Sequence, residues 1–333
     1  TYGDLGLFQE GLASLNKALS LNPNHLDTLL ELGRFNSILK NYQEAENHLN
    51  KLLKIAPNYS EVGLLSGKNL VELNQFESAL PHLEKAVQKQ PDSFEAQFYL
   101  GLNLIRLNRS ANAIAPFQKA VKIKPESALT FSHLGQTYQK LKMYPEAIFS
   151  YKQATRIEPS FTDAYNQLGT LYTFQKNYEM AIKMFQEAVQ SNQKFQSGYF
   201  NLGMIYEILG RHAEAIEQYK NILSLNPDHQ KALLNLGWVM MDENRFMEAI
   251  PPLKHAIDLN LENTDAHYTL GLVFGRLKRY QDAQDQYHKV LRLDPNHSGA
   301  YERLALTEKA MESSTISAQK DVFPKELDII LVP

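Results

Sequence analysis

Ala164-Tyr165-Asn166-Gln167-Leu168-Gly169-Thr170-Leu171-Tyr172, followed by Tyr178-Glu179-Met180-Ala181-Ile182-Lys183-Met184-Phe185-Gln186-Glu187-Ala188, decides the fold. Apolar residues recur at spacings of three and four in both stretches, the pattern of two amphipathic helices. A short polar turn, Gln175-Lys176-Asn177, separates them, with equivalents at Leu39-Lys40-Asn41 and Leu209-Gly210-Arg211. Working outward, Gly169 belongs to a series at Gly33, Gly67, Gly101, Gly135, Gly169, Gly203, Gly237 and Gly271, one every 34 residues. An alanine follows each glycine twelve residues later, from Ala45 through Ala181 to Ala283. A repeat of this length holds two helices of about 12 to 14 residues but no independent core, so each unit must stack on its neighbours. Pro57, Pro91, Pro125, Pro159, Pro227 and Pro295 close second helices, since a proline ring cannot continue the helical ladder. Gln193 and Leu261 replace that proline, and the spacing predicts irregular junctions there.

In the central unit, Leu168-Gly169, Tyr172, Tyr178, Ala181, Phe185 and Ala188 stand at the positions where the tetratricopeptide repeat family places a Leu-Gly step, aromatics and small residues. The chain resembles that family over eight full units, residues 26–297, without insertion. Small residues at 169 and 181 let the two helices approach, while the rings fill the space to the next unit. Individual units depart from the pattern: Ser66 stands for Leu, Ser110 and His212 for an aromatic, and Leu52 and Ile222 for the second small residue. The resemblance implies an all-α fold, a right-handed superhelical solenoid of antiparallel helix pairs.

Both ends fall outside complete units. Residues 1–25 align as a partial unit: the tail of a first helix, Thr1 to Leu5, then a second helix carrying Phe8, Gly11, Leu15 and Ala18. The start inside a repeat, without Met, suggests an excerpt of a longer protein. Residues 298–312 are expected to form a capping helix. Residues 313–333 read as a linker, Ser313 to Ser317, and a strand-like segment, Glu326 to Pro333. That segment is open to three readings: the first strand of a following domain, a segment folded back on the stack, or an unstructured end.

A formal net charge of −3 carries no electrostatic footprint for nucleic acid, and the sequence predicts no nucleic-acid partner. The chain lacks cysteine, which removes disulfides and thiol chemistry and suits a cytoplasm, the favoured compartment, or a periplasm. No apolar run reaches the roughly 18 to 20 residues that cross a bilayer. Phosphate loops, metalloprotease motifs and nucleophile elbows are missing, so no cofactor, metal or catalytic residue is assigned. Pro81, Pro116, Pro251 and Pro252 fall inside second helices and are expected to kink or shorten their first turns.

The resemblance implies that first helices line a concave groove, with ligand contacts about six and three residues before the Gly and one, four and five after it. These spacings share one helical face. They select Phe174; Phe200, Met204 and Ile208; and Leu234, Trp238 and Met241, an apolar stretch that includes the chain's single Trp. Such side chains serve either as anchors for a peptide or as ordinary core covered by neighbouring units. Arg106, Gln136, Gln139 and Lys140 add donors suited to a carboxylate or to backbone carbonyls, or are plain solvated surface. The Lys-x-x-x-Asn and Lys-x-x-x-Arg pair of chaperone-clamping repeats is missing. Of the asparagine ladder typical of glycosyltransferase arms of this family, Asn201 and Asn235 alone match. The expected function is a non-catalytic scaffold that binds an extended peptide or a partner helix in the groove. Two alternatives stand beside it: the substrate-recruiting arm of a larger enzyme such as a glycosyltransferase, and a scaffold that self-assembles into a homo-oligomer.

Overall fold

A computed structural model describes the backbone of residues 2–57, 59 and 61–322, and the side chains of 9–57, 59 and 61–312. The described residues are helices and short turns, without a strand. After α1 (Tyr2–Leu21), first and second helices alternate: α2 (Leu26–Ile38) and α3 (Tyr42–Ile55), α4 (Val62–Glu72) and α5 (Phe76–Lys89), α6 (Phe94–Arg106) and α7 (Ser110–Ile123), α8 (Ala128–Lys140) and α9 (Tyr144–Ile157). The order continues with α10 (Thr162–Phe174) and α11 (Tyr178–Ser191), α12 (Gln196–Ile208) and α13 (His212–Leu225), α14 (Gln230–Asp242) and α15 (Phe246–Leu259), and α16 (Thr264–Arg276) and α17 (Tyr280–Leu293). Helix α18 (Ser298–Val322) is last. The chain divides into two compact units, residues 1–171 and 172–333, at a point in the sequence inside α10. In each unit consecutive helices pack on one another, α1 through α9 in the first and α11 through α18 in the second.

The repeated glycines explain the pairing inside each unit. A Cβ on Gly33 would lie 2.5 Å from Leu49, on Gly101 2.8 Å from Phe117, on Gly203 2.7 Å from Tyr219 and on Gly271 2.6 Å from Tyr287. Each partner stands sixteen residues downstream on the second helix and is fully buried, so the glycine is the seat of a large side chain. The alanines at Ala45, Ala79, Ala113, Ala147, Ala181, Ala215, Ala249 and Ala283 are all inaccessible to solvent, where a longer side chain would force the helices apart.

The turn between first and second helix is also periodic. Lys40, Asn74, Asn108, Lys142, Lys176, Gly210, Asn244 and Lys278 all take φ between 58° and 66°, the left-handed conformation that ends a helix. The next residue closes the motif by donating its N–H back into the helix, as Asn41 does to the Asn36 carbonyl at 2.8 Å, and Arg245 to that of Met240 at 2.8 Å.

Three expectations are corrected. The junctions at Gln193 and Leu261 are regular four-residue connections, like those that carry proline. Asn192 and Asn260 form them, their side-chain oxygens accepting the N–H of Lys194 at 3.0 Å and of Glu262 at 3.1 Å. The short first helix is α4 instead, which starts at Val62 and is only 11 residues long. The internal prolines do not shorten α5, α7 or α15, which keep the 14 residues of the other second helices. At the ends, α1 runs unbroken through the division predicted after Leu5, and α18 runs through residues 313–317, read as linker. Ser313-Ser314-Thr315-Ile316-Ser317 contains neither Gly nor Pro, and its helix propensity is low but not prohibitive. The strand-like segment, residues 326–333, lies outside the described residues.

Candidate functional site

In the unit of residues 172–333, α14 packs on α16 and α16 on α18, so these three helices stand side by side. Side-chain caps fix where they start: His229 accepts the N–H of Ala232 at 3.2 Å, Asn263 that of Ala266 at 3.0 Å and His297 that of Ala300 at 3.1 Å. The anchors predicted on α10, α12 and α14 separate into two kinds.

Phe174 at the end of α10 is 66% exposed, Met204 and Ile208 on α12 are 42% and 55% exposed, and Trp238 on α14 is 44% exposed. Leu234, Met241 and Asn201 are half-buried. Phe200 is half-buried as well, its ring centroid 5.9 Å from that of Tyr219 and 6.1 Å from that of His229. The Nδ2 of Asn235 donates to the Tyr219 hydroxyl at 3.1 Å, which commits that donor to the core. Phe200 and Asn235 thus work beneath the face and the exposed residues work on it.

The sequence did not single out Glu207, which completes this network. Its carboxylate bonds the Tyr219 hydroxyl, and its Oε1 is buried without a hydrogen-bond partner. Burial pushes the Glu207 carboxyl above its usual range, against the lowering effects of the Tyr219 bond and of nearby His212. Burial likewise raises the Tyr219 hydroxyl. Glu207 stands four residues after Gly203, a position that the family spacing includes, so the signal was present.

A cleft of about 240 Å³ opens beside Trp238, lined by Met241, Asp242, Asn244, Phe246, Leu272, Arg276 and Arg303. Arg303 comes from α18, two residues before the place where a ninth glycine would fall, at Ala305. Extending the register past the last full unit would have found it.

The donor set of the other unit, residues 1–171, is partly engaged. Gln139 accepts from the Tyr151 hydroxyl at 3.0 Å, and Gln136 bonds His133. Burial lowers the His133 imidazole, the Gln136 bond opposes this, and the Arg106 charge adds to the lowering. Arg106 and Lys140 are exposed. Among the described residues no group of three His, Asp or Glu side chains is placed to hold a metal ion, and no helix is long and apolar enough to cross a membrane.

Comparison with known proteins agrees with this architecture. Four family models, each described as tetratricopeptide repeat (TPR), match residues 4–68, 64–128, 130–161 and, in three copies of one model, 162–195, 197–229 and 264–297. No curated protein matches the chain. Among solved structures, the C-terminal part of a TPR repeat-containing protein from Cytophaga hutchinsonii is similar over 72% of this chain and 99% of that one, at 16% identity and a TM-score of 0.65. YrrB, described as a TPR protein with an unusual peptide-binding site, is similar over 56% of this chain and 96% of its own, at 20% identity and a TM-score of 0.52. A tetratricopeptide repeat protein from Parabacteroides merdae covers 75% of this chain and 98% of its own, at 16% identity and a TM-score of 0.51. These likenesses are of fold. The glycine seats, the left-handed turns and the matched models together establish that this chain belongs to the tetratricopeptide repeat family.

Proposed function

We propose that the chain is a non-catalytic protein-interaction scaffold, whose first-helix face over residues 172–333 holds an extended peptide or a partner helix. One observation carries the reading: Met204, Ile208 and Trp238 stay 42%, 55% and 44% exposed while Leu202, Ile205 and Val239 beside them are buried to 2% or less. The core is complete without the exposed set, and a rigid helical support holds large apolar side chains toward solvent at little further entropy cost, as binding anchors require. Met204 and Ile208 are four residues apart, one turn of α12, and so present one apolar strip. The peptide-binding site described for YrrB supports the reading at the level of fold.

Selection of a displayed library of random peptides on the parent protein and on the Trp238→Ala, Ile208→Ala variant tests this. The parent should enrich a defined set of peptides and the variant should not, with helicity and melting nearly unchanged. Equal enrichment by both proteins would place binding elsewhere, and a large drop in melting would assign the two side chains to the core.

A further inference from the structure

The cleft beside Trp238 holds two arginines that differ from Arg211, Arg245 and Arg279 of the same unit. Arg211, Arg245 and Arg279 are each bonded to a carboxylate three residues on, Glu214, Glu248 and Asp282 respectively. Arg276 and Arg303 form no ion pair or hydrogen bond among the described residues, are exposed, and line one cleft from neighbouring helices, α16 and α18. Its apolar walls are Trp238, Met241, Phe246 and Leu272. Asp242, the one acidic residue of the lining, is already 3.5 Å from Nε2 of His212. The two unpaired guanidiniums draw an anion, while the carboxylate of Asp242 and the amide oxygen of Asn244 can accept peptide N–H groups. Two guanidinium forks beside an indole match a planar carboxylate next to a large apolar side chain.

We propose that this cleft is an acidic-residue subsite: it takes a peptide segment in which an Asp or Glu carboxylate, held by Arg276 and Arg303, adjoins an apolar side chain seated on Trp238, Met241 and Leu272. The proposal rests on the peptide-binding reading above and names the chemistry of its ligand.

The test uses peptides recovered from the random library on the full chain, then synthesised in pairs that differ only by Glu→Gln or Asp→Asn. The recovered set should be rich in acidic residues next to large apolar ones. The Arg276→Gln, Arg303→Gln protein should bind the acidic peptide about tenfold or more weakly, and its neutral twin no more weakly than the parent does. Lys254→Gln, an exposed cation on the second helix α15, should change neither. Added salt should weaken the acidic peptide alone. Recovered peptides with no acidic preference, or equal loss for both twins, would overturn the subsite and leave the peptide-binding reading standing. Failure to recover any peptide would overturn both.

Discussion

Glu46 is 3% exposed on α3, and its carboxylate accepts from Ser66 Oγ at 3.0 Å and from Asn69 Nδ2 at 3.1 Å, both on α4. Burial pushes this carboxyl above its usual range and the two hydrogen bonds oppose the shift without cancelling it. A carboxyl whose folded value is raised binds its proton more tightly when folded. Its contribution to stability is full below the unfolded carboxylate range and is lost as pH rises through the folded value. Glu46→Gln keeps a side-chain acceptor and carries no charge, so its melting temperature relative to the parent should rise between acid and neutral pH. Thermal melts of both proteins across that window check this, and a difference that stays flat would show that the buried charge costs nothing. At Gly237 the expectation is steric: a Cβ would lie 2.4 Å from Cγ of Leu253, which is fully buried. Gly237→Ala should destabilise by about 1–3 kcal/mol, read as a lower denaturant midpoint. The glycine period was legible because a large side chain of the second helix sits where a Cβ would stand. Glu46 was not legible, since its burial depends on neighbours that only the packed pair supplies, whereas Glu207 stood at a position that the family spacing marks.

Helices in this chain are defined by their turns as much as by their apolar stripes. Lysine holds the left-handed position at Lys40, Lys142, Lys176 and Lys278, where glycine stands once, at Gly210. A side chain in that conformation costs about 1–2 kcal/mol relative to glycine, partly offset by the freedom that glycine adds to the unfolded chain. Lys142→Gly or Lys278→Gly should therefore stabilise by roughly 0.5–1 kcal/mol, seen as a higher midpoint in urea. A loss of stability would mean that the lysine makes a compensating contact. The polar turns were legible in the sequence, but their handedness was not, because lysine is an uncommon choice there. The regular junctions at Asn192 and Asn260 teach the same lesson in reverse, for their side-chain hydrogen bond is the one that Asn226 and Asp294 make beside Pro227 and Pro295, so the turn does not depend on the proline. The internal prolines were read as disruptive from the lost N–H, yet α5, α7 and α15 keep full length around them.

In a stacked repeat each helix pair is stabilised by the pair beside it, so the last pair depends on whatever covers it. In the unit of residues 172–333 that cover is α18, which packs on α17 and α16 and buries Ala300 and Thr307. Tyr268 of α16 also stacks near His297, ring centroids 4.8 Å apart, just ahead of α18. Ending the chain after His297 should return apolar surface of α16 and α17 to water and lower stability by about 2–4 kcal/mol, the worth of one or two large side chains. The same helix carries Arg303, so it serves both the fold and the proposed subsite. The two roles separate by mutation. Arg303→Gln should leave the urea midpoint within about 0.5 kcal/mol of the parent, as for an exposed surface residue, while the shortened chain should unfold earlier. If both changes lowered the midpoint equally, Arg303 would be a structural tie of α18 and not a guanidinium awaiting a carboxylate.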